Sequence, residues 1–372
     1  MAGAKKHLPL LLFLAFVVLF QAIVSAMGRE YYLTQLTMSA YYAVVIIGLT
    51  LIMGYAGQIS LGHAGFFAMG GYTTAVLTTL DLAGAAGNPM ADFAVRAGLT
   101  TVSRDAFGVE ILHLSPWIAL VAAVLITAVV AFMIGIPILK LKGHYLAMAT
   151  LGFGIIVYRI VLGSRIFGEA DGISGLPPFR LFGGLAVSGD PALRVQNYYI
   201  AAVLLVGGMI LLLNMVDSRV GRALRAIHGG EEAANAMGVD TPRYKLMVFV
   251  LSAVYASVAG VFLTHFNGGI GPSEAAVMKS VSYVAIVAVG GMANLWGALV
   301  MGILLNYLSL RGYFGSYDEF VFGGILIVIM LFFPDGLLKK EYFSGDAIVE
   351  AARRFRGAVA GRKNKSGDAG GR

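Results

Sequence analysis

Ten mostly apolar runs dominate this 372-residue chain, at 8–26, 35–54, 57–80, 116–139, 144–163, 197–216, 246–266, 280–292, 295–310 and 319–334. A helix needs about 20 such residues to cross ~30 Å of hydrocarbon, so runs of this length belong in lipid. Composition agrees. Charged residues make up 13% of the chain and apolar residues 58%, too few polar side chains to clothe a soluble surface. The expected fold is all-α: a polytopic membrane bundle of about ten transmembrane helices.

Three of the runs are weak. Segment 57–80 carries Gly57, Gly62, Gly65, Gly70 and Gly71 and reads as broken or partly re-entrant. Runs 280–292 and 295–310 are separated by only two residues, Ala293 and Asn294, and fit either two short spans or one kinked span. The N-terminal run is long for a signal peptide despite Lys5, Lys6 and a passable Val24-Ser25-Ala26 cleavage site; it reads as an uncleaved first span.

Charge sets the orientation. With ten spans, 18 of the 27 Lys and Arg fall on the side of the termini, eight on the other, and Arg159 near the end of a span. Basic loops stay in the cytoplasm, so both termini are expected there. The same reading takes the net charge of +7 and the pI near 9.5 away from nucleic acid and assigns it to cytoplasmic loops. Three parts follow: a first span over 1–34, a main membrane body over 35–338, and a basic tail over 339–372.

Two stretches stand out. The longest cytoplasmic loop between spans, 217–245, reads DSRVGRALRAIHGGEEAANAMGVDTPRYK. Val220, Leu224 and Ile227 recur on one helical face, with Arg222 and Arg225 on another. Gly229-Gly230 breaks the helix, and Glu231-Glu232 opens a second turn where carboxylates suit the dipole. Gly238 is the expected C-cap, with Thr241 and Pro242 as N-cap and N1 of the next helix. Ala233, Ala234, Ala236 and Met237 give this corner a small apolar face, so it reads as a knob for a partner's groove rather than as a plain solvated loop.

The other stretch is GYAGQISLGHAGFFAMGGYTTAVL, 54–77. Its small residues permit close backbone approach, and Gln58, Ser60 and His63 put polar groups near membrane depth. They either line a polar path or satisfy backbone groups of a broken helix. Elsewhere Arg159 is expected to snorkel, Trp296 to sit at an interface belt, and the turn-rich 168–178 to form a shaped outer loop.

Catalytic signatures are missing from the sequence. It has no Cys, six scattered His without an H-x-x-x-H pair, and no G-x-x-x-x-G-K-[ST] phosphate loop. No catalytic residue, metal site or cofactor is expected in this chain.

The quoted segments, together with LKGHYLAMATLGFGIIV (141–157), DGISGLPP (171–178) and GGMANLWGALVMGILL (290–305), closely resemble the permease subunits of bacterial branched-chain amino acid ABC importers, in particular the M-type subunit of the leucine/isoleucine/valine system. The resemblance spans about 35–338 and implies a fold shared with ribose-type permeases. It also implies a second, homologous permease as partner, two cytoplasmic ATPase subunits carrying ATP and Mg, a periplasmic binding protein, and an inner-membrane location. In that family the loop matching 217–245 docks onto an ATPase, which makes Arg222, Ala223, Arg225, Glu231, Glu232, Ala233, Ala234 and Gly238 the expected coupling positions. The path lies between the two permeases, with Gln58, Ser60 and His63 as candidate lining. His144 and the run His228-Gly229-Gly230 depart from the family pattern. Relatives carry urea, short amides or aromatic acids, so those substrates stay open. The rival class is an autonomous channel or secondary transporter, which would call for buried ionisable residues in the spans.

Overall fold

The computed structural model describes residues 2–80, 100–104, 110–313 and 315–332. The tail expected over 339–372 and most of the loop 81–115 lie outside those residues. Twelve helices are described: α1 (Ala2–Ala26), α2 (Tyr31–Thr50), α3 (His63–Thr79), α4 (Pro116–Ile138), α5 (His144–Gly163), α6 (Arg194–Asp217), α7 (Arg219–Gly229), α8 (Glu231–Ala236), α9 (Thr241–Asn267), α10 (Val277–Gly290), α11 (Leu295–Leu310) and α12 (Asp318–Phe332).

Six helical stretches are long and apolar enough to cross a membrane, and α10 and α11 are apolar but shorter. The 14 residues of α10 reach only about 21 Å. This gives a multi-pass membrane bundle with six to eight spans on length and composition. Segment 57–80 is not one continuous helix: α3 begins at His63, and 57–62 is irregular.

The bundle has a centre and a rim. Central α2 and α9 are mostly buried, whereas α1, α4 and α5 bury under a third of their apolar length. Exposed Leu125, Val129, Phe132 and Met133 on α4 form the kind of broad apolar surface that lipid covers. A close central contact joins α3 to α9. A Cβ at Gly70 would fall 2.2 Å from the Ser257 carbonyl, and one at Gly260 2.1 Å from the Phe67 carbonyl. Only glycine lets these backbones approach so closely.

Several threonine hydroxyls inside the bundle are satisfied within their own helix. Thr37 and Thr50 donate to the carbonyls of Leu33 and Ile46 at 2.8 and 2.7 Å, closing each polar group within its own helix. Between helices, Thr127 donates to Ser257 at 3.1 Å. His265 Nδ1 donates to the Pro177 carbonyl and its Nε2 accepts from Thr74, both at 3.0 Å.

Loops gather at two ends. One end holds 55–62, the α4–α5 turn, α7–α8 and the α10–α11 corner. The other holds three small antiparallel pairs: β1 (Thr100–Arg104) with β2 (Glu110–Leu114), β3 (Ile173–Ser174) with β6 (Gly269–Ile270), and β4 (Phe179–Arg180) with β5 (Ala186–Val187). The turn-rich 168–178 is therefore partly built into the body through β6 and His265 rather than standing free. Arg159 is exposed one turn before the end of α5 at this end, where snorkelling is possible.

Candidate functional site

The knob is α7 and α8, and its local logic follows the sequence closely. Ser218 caps α7 by accepting from the Val220 N–H at 3.1 Å. Leu224 and Ile227 are buried, while Arg222 and Arg225 are exposed and Ala223 is half-buried. Chain direction changes at Gly230, and α8 opens with Glu231 and Glu232 in its first turn. Its end is a Schellman closure: Gly238 N–H bonds Asn235 O at 2.9 Å and Val239 N–H bonds Ala234 O at 3.0 Å. Ala234 is buried, whereas Ala233, Ala236 and Met237 face outward, Met237 at 85% exposure.

One expected cap is displaced by a residue. Asp240, not Thr241, is the N-cap of α9, accepting from Arg243 N–H at 3.3 Å. Thr241 is instead buried and donates to Asn235 Oδ1 at 3.1 Å. Two adjacent residues could each cap, and burial of the threonine against α8 decides between them.

The two glutamates turn back toward the body. Lys245, whose side chain is 5% exposed, donates to both oxygens of Glu231 at 3.0 and 3.1 Å and to the Leu139 carbonyl at 3.0 Å. Glu232 pairs with Lys142 at 3.0 Å on the surface. The Lys142 ammonium, by hydrogen bond and by charge, holds the Glu232 carboxyl below its usual range, and Glu232 raises Lys142 in return. Glu231 is therefore an internal anchor, and the outward face consists of Arg222, Arg225, Ala233 and Met237. Sequence reasoning missed Lys245 and Lys142. The available signal was a lysine at the threshold of an apolar run, a position that demands a partner.

Gln58, Ser60 and His63 are divided by the structure. α2 ends in a π-helical turn, Leu51–Tyr55, and Gly57 then takes φ +67°, a conformation open to glycine. Gln58 is 4% exposed and neither of its amide atoms has a partner among the described residues. It lines a cavity of about 160 Å³ together with Lys142, His228, Glu231 and Lys245. A Cβ on Gly57 would meet His228 Nδ1 at 2.9 Å, so the knob rests directly on the broken segment.

Ser60 and His63 are saturated instead. Ser252 donates to the Phe249 carbonyl at 3.0 Å, so its oxygen accepts from His63 Nε2 at 2.8 Å, and His63 Nδ1 accepts from Ser60 at 3.0 Å. That assignment fixes the tautomer of a neutral imidazole. Backbone donors freed by the break are met as well: Leu61 N–H by Thr150 and Ala64 N–H by Ser280, at 3.0 and 3.1 Å. Of the three residues, Gln58 alone borders the cavity. Among the described residues no group of three His, Cys, Asp or Glu could hold a metal ion.

Comparison with known proteins places this architecture. Residues 31–330 match the family model described as "Branched-chain amino acid transport system / permease component". The permease protein LivM of the high-affinity branched-chain amino acid transport system of Salmonella typhimurium is 30% identical over 322 residues, covering 81% of this chain and 68% of that protein. BraD of Pseudomonas aeruginosa is 26% identical over 82% of this chain and 94% of its own length. LivH of Escherichia coli K12 is 26% identical, over 83% and 96%. No solved structure matches. With a buried two-helix centre, a lipid-facing rim, a knob seated on a broken helix and a family match over most of its length, the chain belongs to the permease components of branched-chain amino acid transport systems.

Proposed function

We propose that the chain is the M-type permease subunit of an ATP-driven importer. With a second, homologous permease it forms the inner-membrane path for branched-chain amino acids brought by a periplasmic binding protein. Identity of 30% to LivM against 25–26% to LivH supports the M-type assignment. The body is residues 35–338, both termini face the cytoplasm, and ATP with Mg is bound by two partner ATPases.

The observation that carries this reading is the knob. It offers Arg222, Arg225, Ala233 and the exposed Met237 to a partner, while Glu231 and Lys245 fix it to the body and His228 touches Gly57. A force applied to such an element reaches the α2–α3 break without an intervening flexible loop, which suits rigid-body switching between inward and outward access.

The test is uptake of labelled leucine into vesicles holding the assembled complex, with and without the ATPases. ATPase-dependent uptake is expected, and the double variant Arg222→Glu/Arg225→Glu should release the ATPases while the chain still inserts. Uptake by this chain alone would establish the rival reading, an autonomous transporter. Import of urea, an amide or an aromatic acid in place of leucine would move the substrate class.

A further inference from the structure

At the end opposite the knob, five polar side chains meet beneath the short turn Pro272–Ala275. Glu274 comes from that turn, Tyr42 from α2, Tyr72 from α3, and Lys279 and Tyr283 from one face of α10. Tyr42 donates to Glu274 Oε1 at 2.9 Å. Lys279 donates to the Tyr42 oxygen at 3.0 Å, stands 3.4 Å from Glu274 Oε1, and lies 4.3 Å above the Tyr42 ring. The Tyr42 and Tyr283 rings are 6.2 Å apart. All three tyrosines are buried, whereas the Lys279 and Glu274 side chains are 33% and 18% exposed. The cluster therefore has a charged lip and an aromatic floor.

Three of its oxygens lack a partner among the described residues: Glu274 Oε2, Tyr72 OH and Tyr283 OH, all buried. Tyr72 lies in the same buried cluster as Ala275 of the turn, and Tyr283 stands beside Tyr42, which bonds Glu274. Buried polar groups are nearly always paired, so an unpaired carboxylate oxygen and two unpaired phenols in one region call for an explanation. A carboxylate only accepts, and a phenol can accept as well, so the group that satisfies all three is a donor with several hydrogens. An ammonium is such a group. The Lys279 ammonium is already engaged on the other side, by Tyr42 and Glu274 Oε1, and its remaining hydrogen is suited to a carboxylate. Ammonium and carboxylate on neighbouring atoms describe an α-amino acid, and the ring faces suit an apolar side chain.

We propose that Glu274, Lys279, Tyr42, Tyr72 and Tyr283 form a recognition site for an α-amino acid zwitterion on the face opposite the knob. Glu274 Oε2 and the hydroxyls of Tyr72 and Tyr283 receive the ammonium, and Lys279 receives the carboxylate. The site rests on the reading of the chain as an amino acid permease and adds the residues that touch the substrate.

The experiment uses the assembled transporter in vesicles, with leucine-loaded binding protein, comparing wild type with Glu274→Gln, Tyr72→Phe and Tyr283→Phe. Glu274→Gln should lower initial uptake roughly tenfold or more, the scale of a lost charge-assisted hydrogen bond. The tyrosine variants should lose less, with the complex still assembled. Tyr283→Phe separates contact from packing. It removes an unpaired buried hydroxyl, so a packing role predicts an equal or higher melting temperature and unaltered uptake. Reduced uptake at an equal or higher melting temperature is the expected result, and it decides the matter even where Glu274→Gln fails to assemble. Wild-type leucine uptake matched by the Glu274→Gln and Tyr283→Phe variants overturns the site and leaves the transport reading standing. Wild-type vesicles that import none of leucine, isoleucine and valine overturn both.

Discussion

Around His63, each hydrogen-bonding atom of Ser60, the imidazole and Ser252 has its partner. Around Glu274, at the other end of the same bundle, three oxygens have none. Both clusters draw on several helices, and both combine titratable and hydroxyl groups. Their difference lies in saturation. A closed network in a low-dielectric interior fixes one arrangement of its helices, because any displacement strands a polar atom. An open one sustains a cost that the fold alone does not repay, which is the condition expected of atoms reserved for something that comes and goes. The His63 network thus reads as scaffold for the α2–α3 break, and the Glu274 cluster as contact surface.

The comparison can be broken by stability measurements. His63→Leu leaves Ser60 without its acceptor and removes the donor to Ser252, a loss of about 2–6 kcal/mol at 1–3 kcal/mol per stranded group. Tyr283→Phe should leave stability equal or raise it by up to about 1 kcal/mol, since its hydroxyl has nothing to lose. Thermal unfolding in one detergent, both variants side by side, checks the pair. Equal melting temperatures would mean that saturation is not what separates the clusters. Next in size is Lys245→Met. Severing a fully buried pair costs about 3–5 kcal/mol, but Glu231 keeps 30% of its side chain exposed, so about 2 kcal/mol is expected. The readout is local: proteolysis within 229–240 should quicken while membrane insertion persists.

The multi-pass membrane bundle was legible because lipid imposes length and apolarity on the sequence itself; of the ten expected spans, six to eight are supported by helix length and composition among the described residues. The knob was legible because helical periodicity and glycine punctuation act over a few residues; Leu224, Ile227 and Gly238 occupy the places that spacing assigned them. What escaped was whatever depends on distant partners. Gly57 and Gly62 marked 57–80 as a segment prone to break, but nothing local announced that its helix starts at His63. Lys245 finds Leu139 O across 106 residues, and Tyr42 finds Glu274 across 232; no local pattern announces either. Gln58, Ser60 and His63 looked alike as polar residues in one glycine-rich run, and only packing divides them into one cavity residue and two scaffold residues.

The smallest expected effect sharpens the same contrast at the surface. Lys142 and Glu232 form an ion pair at the distance of the buried one, 3.0 Å, yet both side chains stand in water, where such pairs contribute little. The carboxyl is depressed from its ordinary 4.5, so its contribution is complete above that value and disappears as pH falls through the lower folded value. The ammonium is raised from 10.5, so its contribution is complete below that value and disappears as pH climbs through the higher folded one. Between about pH 5 and 10 the pair should therefore be constant. Lys142→Ala should leave proteolysis of the knob almost unchanged across that window, and high salt should erase the small difference. A Lys142→Ala effect as large as that of Lys245→Met would show that attachment of the knob depends on pairing at its surface rather than on the lysine buried beneath it.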